Sequence, residues 1–179
     1  LLTMQPHSVR QVLRRMMKVS DNLHAESLFY QLAASGGTRW ASARQARQYA
    51  YSLFSRIGLN PRDYYVADGS GLSLYNYVST ELETRLLRYA YQHPEIYEAL
   101  HEALPVAGVD GTLRKRMRGT AAAGNVRAKT GTVKGVSSLA GYLTASNGHQ
   151  LCFSVICNGG LSNGPMRNLQ NKICVALCQ

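Results

Sequence analysis

Apolar residues recur at helical spacing along the first two thirds of the chain and at strand-like spacing along the last third. Val9, Val12, Leu13, Met16 and Met17 share one face over residues 8–19 and predict a helix. The pattern breaks at Ser20-Asp21-Asn22, whose side-chain oxygens compete for nearby backbone N–H groups and favour caps and turns. A second helix with Ala25, Leu28 and Leu32 is expected to stop at Gly36-Gly37. Ser42 and Gln45 form a capping box for a third, which carries Ala43, Ala46, Ala50, Leu53 and Ile57 and ends at Gly58. Pro61, Gly69 and Gly71 then bracket a short apolar run at 64–67. Thr80 with Glu83 suggests another capping box, opening a helix through about Tyr91, and Pro94 suits the first turn of one more, ending before Pro105. Residues 126–133, 137–144 and 151–157 read as three strands, with short links that make them antiparallel neighbours. Pro165 opens a closing helix with Leu169, Ile173 and Ala176 on one face. A helical block, an antiparallel sheet and a final helix define an α+β architecture.

A length of 179 residues fits one domain with a sizeable core. No apolar run approaches a membrane span. The opening "LLTMQPHSVRQ" lacks the basic and apolar blocks of a signal peptide, and Met4 lies inside it. The formal net charge of +10 favours anionic partners without choosing among nucleic acid, acidic lipid and anionic envelope polymers. Part of it clusters at Arg114, Lys115, Arg116, Arg118, Arg127, Lys129 and Lys134, and a solvated basic face accounts for most of these. Cys152, Cys157, Cys174 and Cys178 form no Cys-x-x-Cys pair and have no histidine cluster beside them, which argues against zinc and for buried free thiols.

Two triplets carry candidate chemistry: Ser20-Asp21-Asn22, on a turn between helices, and Lys129-Thr130-Gly131, on the first strand of the sheet. Alone, the first is plainly a capping turn and the second a polar strand end. Their order, separation and placement are those of the penicilloyl-serine transferases, whose motifs are Ser-x-x-Lys, Ser-x-Asn and Lys-Thr-Gly. The segments "MMKVSDNLHAESL", "VADGSGLSLYN", "LPVAGVDGTLRKRM" and "RAKTGTVKGVSSLAGYL" resemble successive landmarks of the S13 peptidases. These are the class C low-molecular-mass penicillin-binding proteins, D-alanyl-D-alanine carboxypeptidases and endopeptidases.

The resemblance implies a penicillin-binding-protein/β-lactamase-like fold, with three sheet strands here and five in a complete domain. It implies a peptidoglycan stem peptide ending in D-Ala-D-Ala as substrate, β-lactams as ligands, no cofactor, and a location in the periplasm or cell envelope. In such a site Ser20 relays a proton to the leaving amine, Asn22 holds the substrate amide, and Lys129 supplies a positive field. Thr130 and Thr132, two apart, face one way and suit a terminal carboxylate. Strict alternation turns Lys129 the other way, so its ammonium is expected to curl round the strand end, while Gly131 admits a close approach. Asp68–Ser73, "DGSGLS", reads as a tight turn that shapes the domain.

The nucleophile is missing: no serine has lysine three residues on, and the nearest imitation, Thr112 before Lys115, begins with threonine. In the family the Ser-x-x-Lys motif precedes Ser-x-Asn across long inserted domains. The chain is therefore expected to be the C-terminal portion of one transpeptidase-like domain, inactive in isolation. Strand 151–157 would then have a bare edge that pairs with the N-terminal part or with another chain. A class A β-lactamase fits less well, because no Glu-x-x-Leu-Asn loop lies between the triplets. Two alternatives remain. One is a non-catalytic peptidoglycan-binding remnant; the other is a basic nucleic-acid-binding module, which lacks any helix-turn-helix, zinc or RNP signature.

Overall fold

The computed structural model describes residues 7–37 and 39–179. The opening residues that bear on the signal-peptide reading, 1–6, lie outside the described residues. Helices α1 (Val9–Val19), α2 (Asn22–Ala34), α3 (Ala43–Arg56), α4 (Thr80–Tyr91) and α5 (Pro94–Ala103) precede strands β1 (Arg127–Val133), β2 (Val136–Thr144) and β3 (Gln150–Asn158), and α6 (Asn163–Leu177) closes the chain. The sheet is antiparallel in the order β1-β2-β3, so β1 and β3 are its edges. Lys134-Gly135 turns β1 into β2, with Gly135 at φ +77°.

Caps fix several helix starts. Ser8 and Gln11 bond reciprocally at α1, and Ser42 and Gln45 do so at α3. The expected box at Thr80 and Glu83 does not form. Ser79 caps α4 instead, its hydroxyl accepting from the Leu82 N–H, and Glu83 turns into the protein to accept a 2.5 Å bond from the Ser154 hydroxyl. The apolar run at 64–67 makes only an isolated bridge, Tyr65 to Tyr77.

Alternation along the strands creates two sheet faces. Ala128, Leu139, Leu143 and Phe153 pack beneath α6 around Cys174 and Cys178, together with Leu113 and Met117. The opposite face meets α4, where Tyr142 donates to the Leu87 carbonyl and Ser154 reaches Glu83. The helical block has smaller cores, Phe29 with Ala33 and Ala46, and Phe54 with Tyr64 and Leu82.

The face of α6 differs from expectation. Met166, Gln170 and Cys174 are buried, whereas Leu169 is 51% exposed. Gln170 is a polar residue inside the core, satisfied by donating to the Ser137 hydroxyl and accepting from Arg116. All four cysteines are free thiols; Cys174 and Cys178 are buried, but Cys152 and Cys157 are only half-buried. Among the described residues no group of His, Cys, Asp or Glu suits a metal ion, and no helix is long and apolar enough to cross a membrane.

Candidate active site

Ser20 is the C-cap of α1 and Asp21 the N-cap of α2, so the first triplet is the joint between two helices. Ser20 has φ +58° and ψ +52°, a left-handed conformation that carries a steric cost for any residue with a Cβ. Only Met117 shares it among the described non-glycine residues. Such backbone strain persists where the surroundings over-determine it. Here the surroundings are two helix ends and a cross-molecule contact. Asp21 accepts from the ring of His24, from its backbone N–H and from the Arg15 guanidinium; these bonds hold its carboxyl well below the usual range, at about 2. Its work is to fasten the joint. Asn22 opens α2 with its side chain exposed.

The second triplet comes to this joint from 109 positions away. The Lys129 ammonium donates to the Ser20 hydroxyl at 2.7 Å and to the Thr130 carbonyl at 2.6 Å. Burial pushes this ammonium below the ordinary lysine range, which eases release of a proton to a bonded hydroxyl. The ammonium therefore reaches the Ser20 hydroxyl while bending along its own strand to the Thr130 carbonyl. The threonines face the other way, with Ala128 and α6. Thr130 donates to the Thr112 hydroxyl at 3.0 Å, and the Thr132 hydroxyl accepts from Arg167 at 3.4 Å. A Cβ on Gly131 would meet the hydroxyl of Ser138, its cross-strand partner, and oblige that side chain to turn.

A clamp that the motifs did not reveal sets the distance between joint and strand. Lys18, two residues before Ser20, donates to the Leu104 carbonyl and to Asp110, each at 2.6 Å. Asp110 also accepts from the Val106 N–H. A short 3-10 turn, Gly111–Leu113, follows at once and presents Thr112 to Thr130. Gly111 has φ +55°, and a Cβ on it would lie 2.5 Å from the Lys18 carbonyl oxygen. The signal for this clamp is the "LPVAGVDGTLRKRM" segment, whose conformational demands are not visible as a catalytic pattern. The loop around Asp68 has a comparable structural task. Its carboxylate accepts from the Gly71 and Ser73 N–H groups and from Asn76, and Glu26 of α2 accepts from the Gly69 and Ser70 N–H groups. Burial opposes the charge on Asp68, but the bonds to it together hold the carboxyl below its usual range. Of the basic cluster, Arg114, Lys115, Arg118 and Lys134 are exposed. Arg116 instead lies against α6, donating to Asn171, to Gln170 and to the Arg167 carbonyl.

A helical block meeting an antiparallel sheet, with a serine-bearing helix joint against a lysine on the edge strand, is the fold shared by penicillin-binding proteins and β-lactamases. The penicillin-binding protein 4 structure from Haemophilus influenzae in complex with a β-lactam superimposes with a TM-score of 0.81 at 32% identity, covering 97% of this chain and 46% of that one. The TLA-1 extended-spectrum β-lactamase shares the fold alone, at 18% identity and a TM-score of 0.66 over 96% of this chain and 62% of that one. The model of the D-Ala-D-Ala carboxypeptidase 3 (S13) family matches residues 1–179, and the chain belongs to that family. It is 38% identical over 176 residues to a D-alanyl-D-alanine carboxypeptidase of Actinomadura, covering 94% of this chain and 32% of that protein. The chain thus spans about a third of the length of the curated relatives it matches.

Proposed function

We propose that this chain forms one wall of the acyl-transfer site of a serine-type D-Ala-D-Ala carboxypeptidase or endopeptidase, as the C-terminal portion of a single penicillin-binding transpeptidase-like domain. The observation that carries the reading is the 2.7 Å contact between the Lys129 ammonium and the Ser20 hydroxyl. Acyl transfer needs a serine to attack the penultimate D-alanyl carbonyl, and a proton for the amine that leaves as the C–N bond breaks. Ser20, bonded to a lysine of lowered basicity, is placed to pass on that proton. Asn22, exposed at the start of α2, suits the substrate amide, since it offers both a donor and an acceptor. Thr130, Gly131 and Thr132 line the edge strand where the peptide terminus docks. The attacking serine and its lysine lie outside these 179 residues, because no Ser-x-x-Lys occurs within them.

The partners that follow are peptidoglycan stem peptides ending in D-Ala-D-Ala, and β-lactams that mimic them, in the periplasm or cell envelope. The reaction requires no cofactor. The bare edge of β3 pairs with the N-terminal part of the domain or with another chain. Labelling with a fluorescent penicillin tests the proposal. The chain alone is expected to form no covalent adduct, while the full gene product forms one whose formation Lys129→Ala slows sharply. A full gene product that binds peptidoglycan peptide but never forms an adduct would establish the non-catalytic reading, which the lack of Ser-x-x-Lys favours.

A further inference from the structure

We infer that Arg167, in the first turns of α6, is a specificity-determining residue that recognises the carboxylate of the bound peptide or β-lactam from the threonine side of β1. The inference rests on the function proposed above and adds to it a residue that neither triplet contains. Alternation along β1 splits the polar groups of the site between two faces. Lys129 turns to the helical block, where the Ser20 hydroxyl and the Thr130 carbonyl already occupy its ammonium. Thr130 and Thr132 turn to the α6 side, away from that charge. A carboxylate held by their hydroxyls needs a cation on the same side, since a carboxylate is an acceptor only and is costly to dock beside neutral donors alone.

Arg167 is the cation placed there. Its Nη2 donates to the Thr132 hydroxyl at 3.4 Å, a long bond that a stronger acceptor can displace. Both residues are exposed, so a ligand can reach them. Arg167 pairs with no carboxylate among the described residues, whereas Arg10, Arg15 and Arg85 all do. Its backbone is held in place from behind, as its carbonyl accepts from Arg116 at 3.3 Å. Among the described residues Arg116 pairs with no carboxylate either, so the region carries uncompensated positive potential beside two hydroxyls. A planar guanidinium matches a carboxylate through parallel N–H donors, which an ammonium cannot do.

The test compares the full gene product and its Arg167→Gln and Arg167→Lys variants, measuring acylation by benzylpenicillin and by its methyl ester, which lacks the negative charge. Arg167→Gln is expected to slow acylation by the acid about tenfold, the size of one charge-assisted hydrogen bond, and that by the ester less than about twofold. Arg167→Lys is expected to recover part of the loss, with an unchanged melting temperature in both variants. Equal slowing of acid and ester, or no slowing of either, would overturn the role of Arg167 and leave the peptidase reading intact. A wild-type gene product acylated by neither compound would overturn both.

Discussion

Replacing Gly111 with alanine is expected to disturb the site more than its distance from the chemistry suggests. Two costs add. The residue sits at φ +55°, where a Cβ costs about 1–2 kcal/mol. The new methyl would also lie 2.5 Å from the Lys18 carbonyl oxygen and 3.0 Å from the Pro105 Cβ, against an ordinary contact of at least 3.4 Å. Relief requires the end of α1 to retreat by nearly 1 Å, and Ser20 is only two residues further on. A misplacement of about 1 Å costs reactions of this kind about a hundredfold. Gly148→Ala is the control: it has φ +83° with nothing within 4 Å, so it isolates the backbone cost in a hairpin turn away from the site. Denaturant midpoints and penicillin acylation rates of the full gene product measure both effects. Gly148→Ala is expected to lose about 1 kcal/mol and keep its acylation rate. Gly111→Ala is expected to lose more stability and about two orders of magnitude in acylation. Equal behaviour of the two variants would refute the claim that the Gly111–Lys18 approach sets the position of Ser20.

Three further outcomes follow from burial and charge. Leu139, fully buried at the centre of the sheet–α6 core, is expected to cost about 2–5 kcal/mol when cut to alanine, read from the denaturant midpoint. Burial raises the Glu83 carboxyl above its ordinary value, so the folded state holds this proton more tightly than the unfolded chain. Its contribution is most favourable below the unfolded carboxyl pKa and is lost as pH rises through the folded value. Glu83→Gln, which can still bond Ser154, is therefore expected to melt higher than wild type at neutral pH, with the gap closing as pH falls toward about 4; a gap independent of pH would contradict this. Burial pushes the Cys174 thiol up to about 12, so a thiol reagent is expected to modify the half-buried Cys152 and Cys157 first and to reach Cys174 only on unfolding.

Much of this fold was legible because its elements declare themselves locally. The Ser42 box and the stop at Gly58 arise from neighbours a few residues apart, and the three strands follow one another through short links. Sequence and structure part where a distant partner decides. Gln170 is buried because Ser137 and Arg116 satisfy it, so the inward face of α6 cannot be found by counting apolar residues. Glu83 left its supposed cap for Ser154, 71 positions away. The triplets mark the two halves of the candidate site, but not what draws them together. That is the work of the Lys18–Asp110 clamp, which draws the end of α1 against the turn preceding β1. Arg167 gave no sequence signal, because its relation to Thr132 exists only once α6 has packed on the sheet.

The contact between Ser20 and Lys129 is tested most directly by a double-mutant cycle on penicillin acylation by the full gene product, with Ser20→Ala, Lys129→Ala and both together. Residues that act as one unit lose nearly their whole effect when either is removed. The double variant is therefore expected to be no slower than the slower single variant. Losses that multiply, as for two independent sites, would contradict a shared catalytic unit of serine and lysine.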